Sequence, residues 1–297
     1  MKPLLALVAG MLLCSAPCHA WWPAGHSILS EAAVRTLPEE MPKFFREGGK
    51  AIAHHSQDPD VAKNRAVPLS TNTEAPEHYF DWELVEKPLG DKSFPATRYD
   101  YLKFCFENGV APQNVGLLPY AVAEWTQRLT VAFAEHRRWP QNKRIREQCL
   151  FTAGILAHYA QDLCQPLHTT IHHDGRAKED GSSPRSGIHN KIDALVETLA
   201  PSPKALAQGQ TLTPFNQLLP DVVREMRRSH GLVDDTYALE AILPVAGQKP
   251  TQTDLELLTF TNQRAREATR FAGSLFLTAW RNSAQVQLPE WLKRENK

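Results

Sequence analysis

The sequence has no surplus of charge. Its 33 Lys and Arg balance 33 Asp and Glu, which excludes the chain-wide basic character that tracks nucleic-acid backbones. Cysteine is scarce, with five in 297 residues. Long apolar runs are missing beyond the extreme N-terminus, so no later segment reaches membrane-spanning length. No internal repeat is present, and strand-like alternation is hard to find. Neither G-x-S-x-G nor a P-loop is visible, so no protein nucleophile or phosphate cradle of those kinds is expected.

The first twenty residues stand apart. Lys2 supplies a positive start and Leu4 to Leu13 an apolar run too short to span a bilayer. Cys18-His19-Ala20 puts small residues at the −3 and −1 positions of a cut after Ala20. The pattern is that of a signal peptide over residues 1–20, with a secreted or periplasmic domain over 21–297. Cleavage would leave Cys105, Cys149 and Cys164, an odd number and no disulfide framework. Cys149 and Cys164 fall on one expected helix, roughly 22 Å apart at 1.5 Å per residue. At most Cys105 pairs with one of them.

What the sequence does contain is helical periodicity bounded by Pro, Gly and capping residues. Helices are expected over 27–37, 42–53, 120–138, 142–165, 189–199, 214–228 and 255–280. Irregular structure is expected over 58–77, 87–95 and 172–187. The fold class is all-α, a single multi-helix domain with long loops. A hydrophobic content of 42% with 22% charge is ordinary for a folded chain.

Chemistry concentrates in HYAQDLCQPLH, residues 158–168. His158 and Asp162 are four apart and share a helix face. His168 lies past the Pro166 turn. Cys164 is about 200° around the helix from Asp162 and is expected in the core. Downstream, GIHNKID repeats the spacing with His189 and Asp193. Upstream lie His26, Asp60 and His78. Imidazole with carboxylate suits zinc. Cleavage after Ala20 would expose WWPAGH, whose α-amine and first carbonyl can chelate a metal once the amine is deprotonated.

Taken in order, these pieces resemble the zinc-dependent phospholipase C and single-strand-specific zinc nuclease superfamily. The likeness runs from Trp21 to about Glu197. It implies a secreted, mostly helical phosphodiesterase with three Zn²⁺ as cofactors, hydrolysing phosphate esters through zinc-activated hydroxide. The resemblance implies that His78, His158, Asp60 and Asp162 hold one zinc. Trp21, His26 and the second oxygen of Asp162 hold another, and His168, His189 and Asp193 the third. Asp60 and Asp162 are the carboxylates expected to matter most for catalysis. Asp60 is preferred to Asp58 because Lys63 follows it at +3, as in some relatives.

The substrate is expected to be a phosphodiester, single-stranded nucleic acid or a phospholipid, acted on by a monomer with no stable partner. The short W-x4-H opening and Asp193 as last ligand favour the nuclease branch, 3′-nucleotidase activity included. Phospholipase C action on phosphocholine lipids is the alternative, and a non-catalytic zinc-binding protein the third. His172 and His173 are expected at the rim, His54 and His55 in an outer shell or on the surface, and His136 at a solvated helix end. Trp22, Tyr79, Phe80, Trp82 and Trp125 offer a base-stacking set but are more simply core.

Overall fold

The computed structural model describes residues 21–250 and 254–295. The expected leader, residues 1–20, lies outside the described residues. Among those described the fold is all-α, without strands. Two isolated bridges, Phe80 with Gly116 and His173 with Gly175, are the only extended pairing.

Eight helices position the site: α1 (Pro23–Arg35), α2 (Gly49–His55), α3 (Asp58–Ala62), α4 (Leu118–Arg138), α5 (Lys143–Leu163), α6 (Ile188–Asp193), α7 (Leu218–His230) and α8 (Leu255–Asn282). Helix α5 is central and packs against α4, α2, α8 and α1. Its start is set by Asn142, whose side chain accepts the Ile145 N–H, an N-cap that satisfies one orphan donor. Its end comes just before Pro166, which cannot continue a helix. Helix α4 opens with Pro119 in its first turn and ends at Trp139, ahead of Pro140. Asp254 caps α8 by accepting from the Glu256 N–H.

The core runs continuously through α1, α4, α5 and α8, with Leu29, Phe45, Leu129, Phe133, Leu156, Phe271 and Phe276 fully buried. Residues after 200 thus complete the core that carries the site: α8 packs on α1, α4 and α5.

Several boundaries differ from the periodicity. The stretch expected as one helix over 42–53 breaks at Gly48, between Lys43–Arg46 and α2. Residues 58–77, expected irregular, hold α3, a helix at Pro68–Glu74 and a 3-10 turn at Ala75–His78. Each begins with Pro in its first turn, so the prolines there start helices rather than prevent them. A helix at Glu83–Leu89 contains Pro88, and another at Arg98–Glu107 is capped by the Thr97 side chain. Loop 172–187 is irregular as expected. Cys105, Cys149 and Cys164 are all free and buried.

Candidate metal centre

On α5, His158 and Asp162 point from one face into the interior, both fully buried. The chain then reaches Gln165, whose side-chain oxygen accepts the Leu167 N–H at 2.5 Å. Its amide nitrogen donates to Asp193 Oδ1 at 2.7 Å. That clamp sets the 3-10 turn Pro166–His168 and ties it to α6. Cys164 sits at the C-cap of α5, in the core.

Three buried groups of potential ligands result: His26 with His158 and Asp162; Asp60 with His78 and His158; and His168 with His189 and Asp193. In each, the ligand atoms lie within 4.8 Å of one another. Asp162 faces two groups at once. Its Oδ1 is 3.4 Å from His26 Nε2, while Oδ2 is 3.1 Å from His78 Nδ1 and 3.3 Å from His158 Nε2. Asp60 Oδ1 lies 3.9 Å from both His78 Nδ1 and His158 Nε2. In the third group His189 Nε2 is 3.0 Å from Asp193 Oδ2 and 3.2 Å from His168 Nε2.

The outward hydrogen bonds decide what these rings present. A carbonyl only accepts, so each ring nitrogen facing one must donate. His158 Nδ1 donates to Ser56 O at 2.7 Å, His168 Nδ1 to His78 O at 2.6 Å and His189 Nδ1 to His173 O at 3.1 Å. His26 Nδ1 donates to Gln161 Oε1 at 2.6 Å, because the Gln161 amide nitrogen is engaged with Ser30 Oγ. Each neutral ring therefore turns a bare Nε2 toward carboxylate oxygens. His26 Nε2 and Asp162 Oδ1 have no hydrogen-bond partner and are buried. His168 Nε2 and His189 Nε2 face each other as two acceptors. Converging lone pairs without a proton between them are costly in a buried site. A divalent cation at each convergence removes that cost, so the residues fit a metal, with the carbonyls fixing each ring.

His78 is oriented differently. Its Nδ1 faces His158 Nε2 at 2.9 Å, and its Nε2 lies 3.4 Å from Glu74 Oε1. Glu74 also accepts from the Tyr159 hydroxyl. His78 Nε2 makes no hydrogen bond, while Nδ1 faces both His158 Nε2 and Asp162 Oδ2, so Nδ1 is the atom turned toward the group.

Electrostatics agree. Burial, helped by His158, lowers the His26 pKa to about 4. Burial lowers His158, and pushes His78 and His168 well below the usual histidine range. Burial also raises Asp162 well above the carboxylate range and raises Asp193. Neutral imidazole suits a ligand. A bound cation reverses the burial penalty on the carboxylates.

Trp21 is fully buried, its indole Nε1 donating to Gln161 O at 3.1 Å. The next residue, Trp22, donates its N–H to Asp193 O at 3.1 Å. The start of the described chain is thus pinned between α5 and α6, beside His26. Asp58 belongs elsewhere: its Oδ2 meets His55 Nδ1 at 2.8 Å, while Asp60 joins His78 and His158. Lys63 Nζ lies 2.7 Å from Asp60 Oδ1.

A cleft of about 400 Å³ opens over the groups, lined by His78, His168 and His189 with Lys63, Tyr79, Asp81, Asn114, Leu167 and His173. Burial and the charge of Glu83 raise the Asp81 pKa to about 8. His172 and His173 are half-buried, and only His173 reaches the cleft. Of the aromatic set, Phe80 and Trp82 are core and Tyr79 lines the cleft. His136, expected at a solvated end, is buried against Phe44 instead. Sequence reasoning passed over Glu74, Gln161 and Gln165. Glu74 had a signal, standing four before His78 as His158 stands before Asp162. Gln161 had none.

No protein-family model and no curated protein matches the chain. Among solved structures it is similar to the alpha toxin from Clostridium absonum, with a TM-score of 0.46 and 13% identity. It is also similar to the Clostridium perfringens alpha-toxin isolated from avian strain SWCP, with a TM-score of 0.43 and 12% identity. Each match covers 89% of this chain and 64% of the toxin, so the chain spans less than two thirds of either toxin's length.

Proposed function

We propose that this chain is a trinuclear-zinc phosphodiesterase acting on single-stranded DNA or RNA, with 3′-nucleotidase activity. One observation supports it above others: His78 of one buried group and His168 and His189 of another line a single cleft. A substrate phosphate in that cleft would meet both.

His78, His158, Asp60 and Asp162 would hold one ion, and His168, His189 and Asp193 a second. His26 and Asp162, with the amine and carbonyl of Trp21 after cleavage at Ala20, would hold a third. Bound zinc would supply a Lewis acid for phosphate oxygens and lower the pKa of water to about 7. The chain's own contribution is orientation. Asp162 divides its two oxygens between two groups, and the backbone carbonyls of Ser56, His78 and His173 fix the histidine tautomers. Lys63 adds a positive charge at the cleft wall for the phosphate. Tyr79 offers an aromatic face on which a base can stack.

A second reading, phospholipase C, has its own support. Val61, Val67 and Leu69 are 68%, 50% and 84% exposed on the segment that also carries Lys63. Exposed apolar side chains on a segment that reaches the cleft through Lys63 suit a lipid surface. Parallel assays on single-stranded DNA, RNA, a nucleoside 3′-monophosphate and phosphatidylcholine vesicles separate the readings. Chelator-sensitive, zinc-restored cleavage of the nucleic acids is expected. Turnover of phosphatidylcholine alone would transfer the assignment to the second reading. Inactivity on all four with zinc fully loaded would leave a non-catalytic zinc-binding protein.

A further inference from the structure

A fourth cluster stands outside the buried groups. His54, His55 and Asp58 bring one ligand atom each to within 4.8 Å of the others. The reason is local. Ser56 (φ −70°, ψ −5°) and Gln57 (φ −95°, ψ −16°) keep right-handed helical backbone between α2 and α3. Asp58 therefore follows His54 by four residues and His55 by three on a nearly continuous helical path, the two spacings that place side chains on one face.

The corner is held from behind. Helix α5 presents Gly154 to it, and a Cβ there would lie 2.8 Å from the His55 carbonyl carbon. Phe151 sets its ring edge-on to His55, with centroids 5.1 Å apart. His55 Nδ1 rests on Asp58 Oδ2 at 2.8 Å, and the His54 ring lies 5.0 Å from that of His55. Two of the three ligands are thus already placed. His54 is exposed, so a change of its side-chain rotamer can complete the set.

We propose that His54, His55 and Asp58 form a surface site for a fourth, exchangeable divalent cation of the zinc class. Two imidazoles and a carboxylate suit zinc, nickel or copper rather than calcium or magnesium, which prefer all-oxygen shells. Zinc–nitrogen bonds of about 2.0–2.1 Å put tetrahedral ligands roughly 3.3 Å apart. Rotation of His54 closes that gap. On binding, the cation takes the place of the hydrogen between His55 Nδ1 and Asp58 Oδ2, and the neutral ring carries its one N–H on Nε2 instead. The remaining coordination positions face water. The site shares no ligand with the buried groups, so it stands apart from the phosphodiesterase reading. It does share their backbone: the Ser56 carbonyl between His55 and Asp58 is the acceptor that orients His158.

The test starts from the full mature chain equilibrated at low free zinc, into which zinc is titrated calorimetrically. One further, weaker equivalent is expected. His54→Ala and Asp58→Asn each remove a ligand and should weaken it by at least the roughly 10–100-fold that loss of an outer-shell partner costs, with the tightly held zinc unchanged. An extra equivalent that persists in both variants, or none in the wild type up to millimolar zinc, would overturn the proposal. Carbethoxylation of wild-type His54 and His55, read by mass spectrometry, gives an answer that needs no variant to fold. Added zinc should slow it at these two positions, and an unchanged rate would contradict the site.

Discussion

At the scale of single residues, Asp162 has the most to lose. Its two oxygens serve two groups, and its burial leaves no water to replace them. Asp162→Asn keeps the shape and removes the charge. The expected result is loss of two zinc ions rather than one, read as metal content after gel filtration of the zinc-loaded protein. Loss of a single ion would refute the bridging role. His136 is the residue whose character the sequence concealed. Flanked by Glu135, Arg137 and Arg138, it has the composition of a solvated end. The fold instead buries it, and burial with Arg146 and Arg137 nearby lowers its pKa to about 4. The unfolded chain then binds the proton first, near the ordinary value of about 6.5. Stability from this group is complete above that pH and is lost as pH falls toward 4. His136→Phe should abolish this loss, worth about 1–2 kcal/mol after solvent screening. The difference in melting temperature between variant and wild type should widen from pH 7 to pH 4.5. A constant difference would mean that His136 does not titrate as described.

At the scale of elements, the site depends on α5. Its His158–Asp162 spacing was legible because 3.6 residues per turn leaves no other outcome once the segment is helical. The Pro166 turn was legible for the same kind of reason. The clamp by Gln165 was not, because it depends on where α6 docks. The short helices over 58–77 were missed because three prolines read equally well as loop markers and as helix starts. Gly154 shows how closely α5 meets α2. A Cβ there would overlap that of His55 and press on its carbonyl carbon and on Ile52 O, 2.9 Å away. Alanine gains about 1 kcal/mol of helix propensity, but overpacking against backbone costs about 1–3 kcal/mol or more. Gly154→Ala should therefore lower the melting temperature by several degrees. An unchanged or raised melting temperature would show that α2 can move away.

At the scale of the whole molecule, the all-α class followed from period and punctuation alone. The convergence of five segments on one interior did not. The stretch from Trp21 to His26, Asp60, His78, α5 and α6 come from separate parts of the sequence, and only resemblance suggested that they meet. The folded chain supplies a physical reason for a metal there: imidazole nitrogens left bare by their outward hydrogen bonds converge with carboxylates whose charge burial disfavours, and a cation relieves both. Metal binding is therefore expected to stabilise the fold as well as to serve chemistry. The most direct measurement is the zinc content of a chain produced to begin at Trp21, after dialysis at low free zinc, together with its melting temperature before and after chelation. Three tightly held ions per chain and a lower melting temperature after chelation, restored by zinc, are predicted. A chain that retains no zinc and melts at the same temperature with or without chelator would contradict the account.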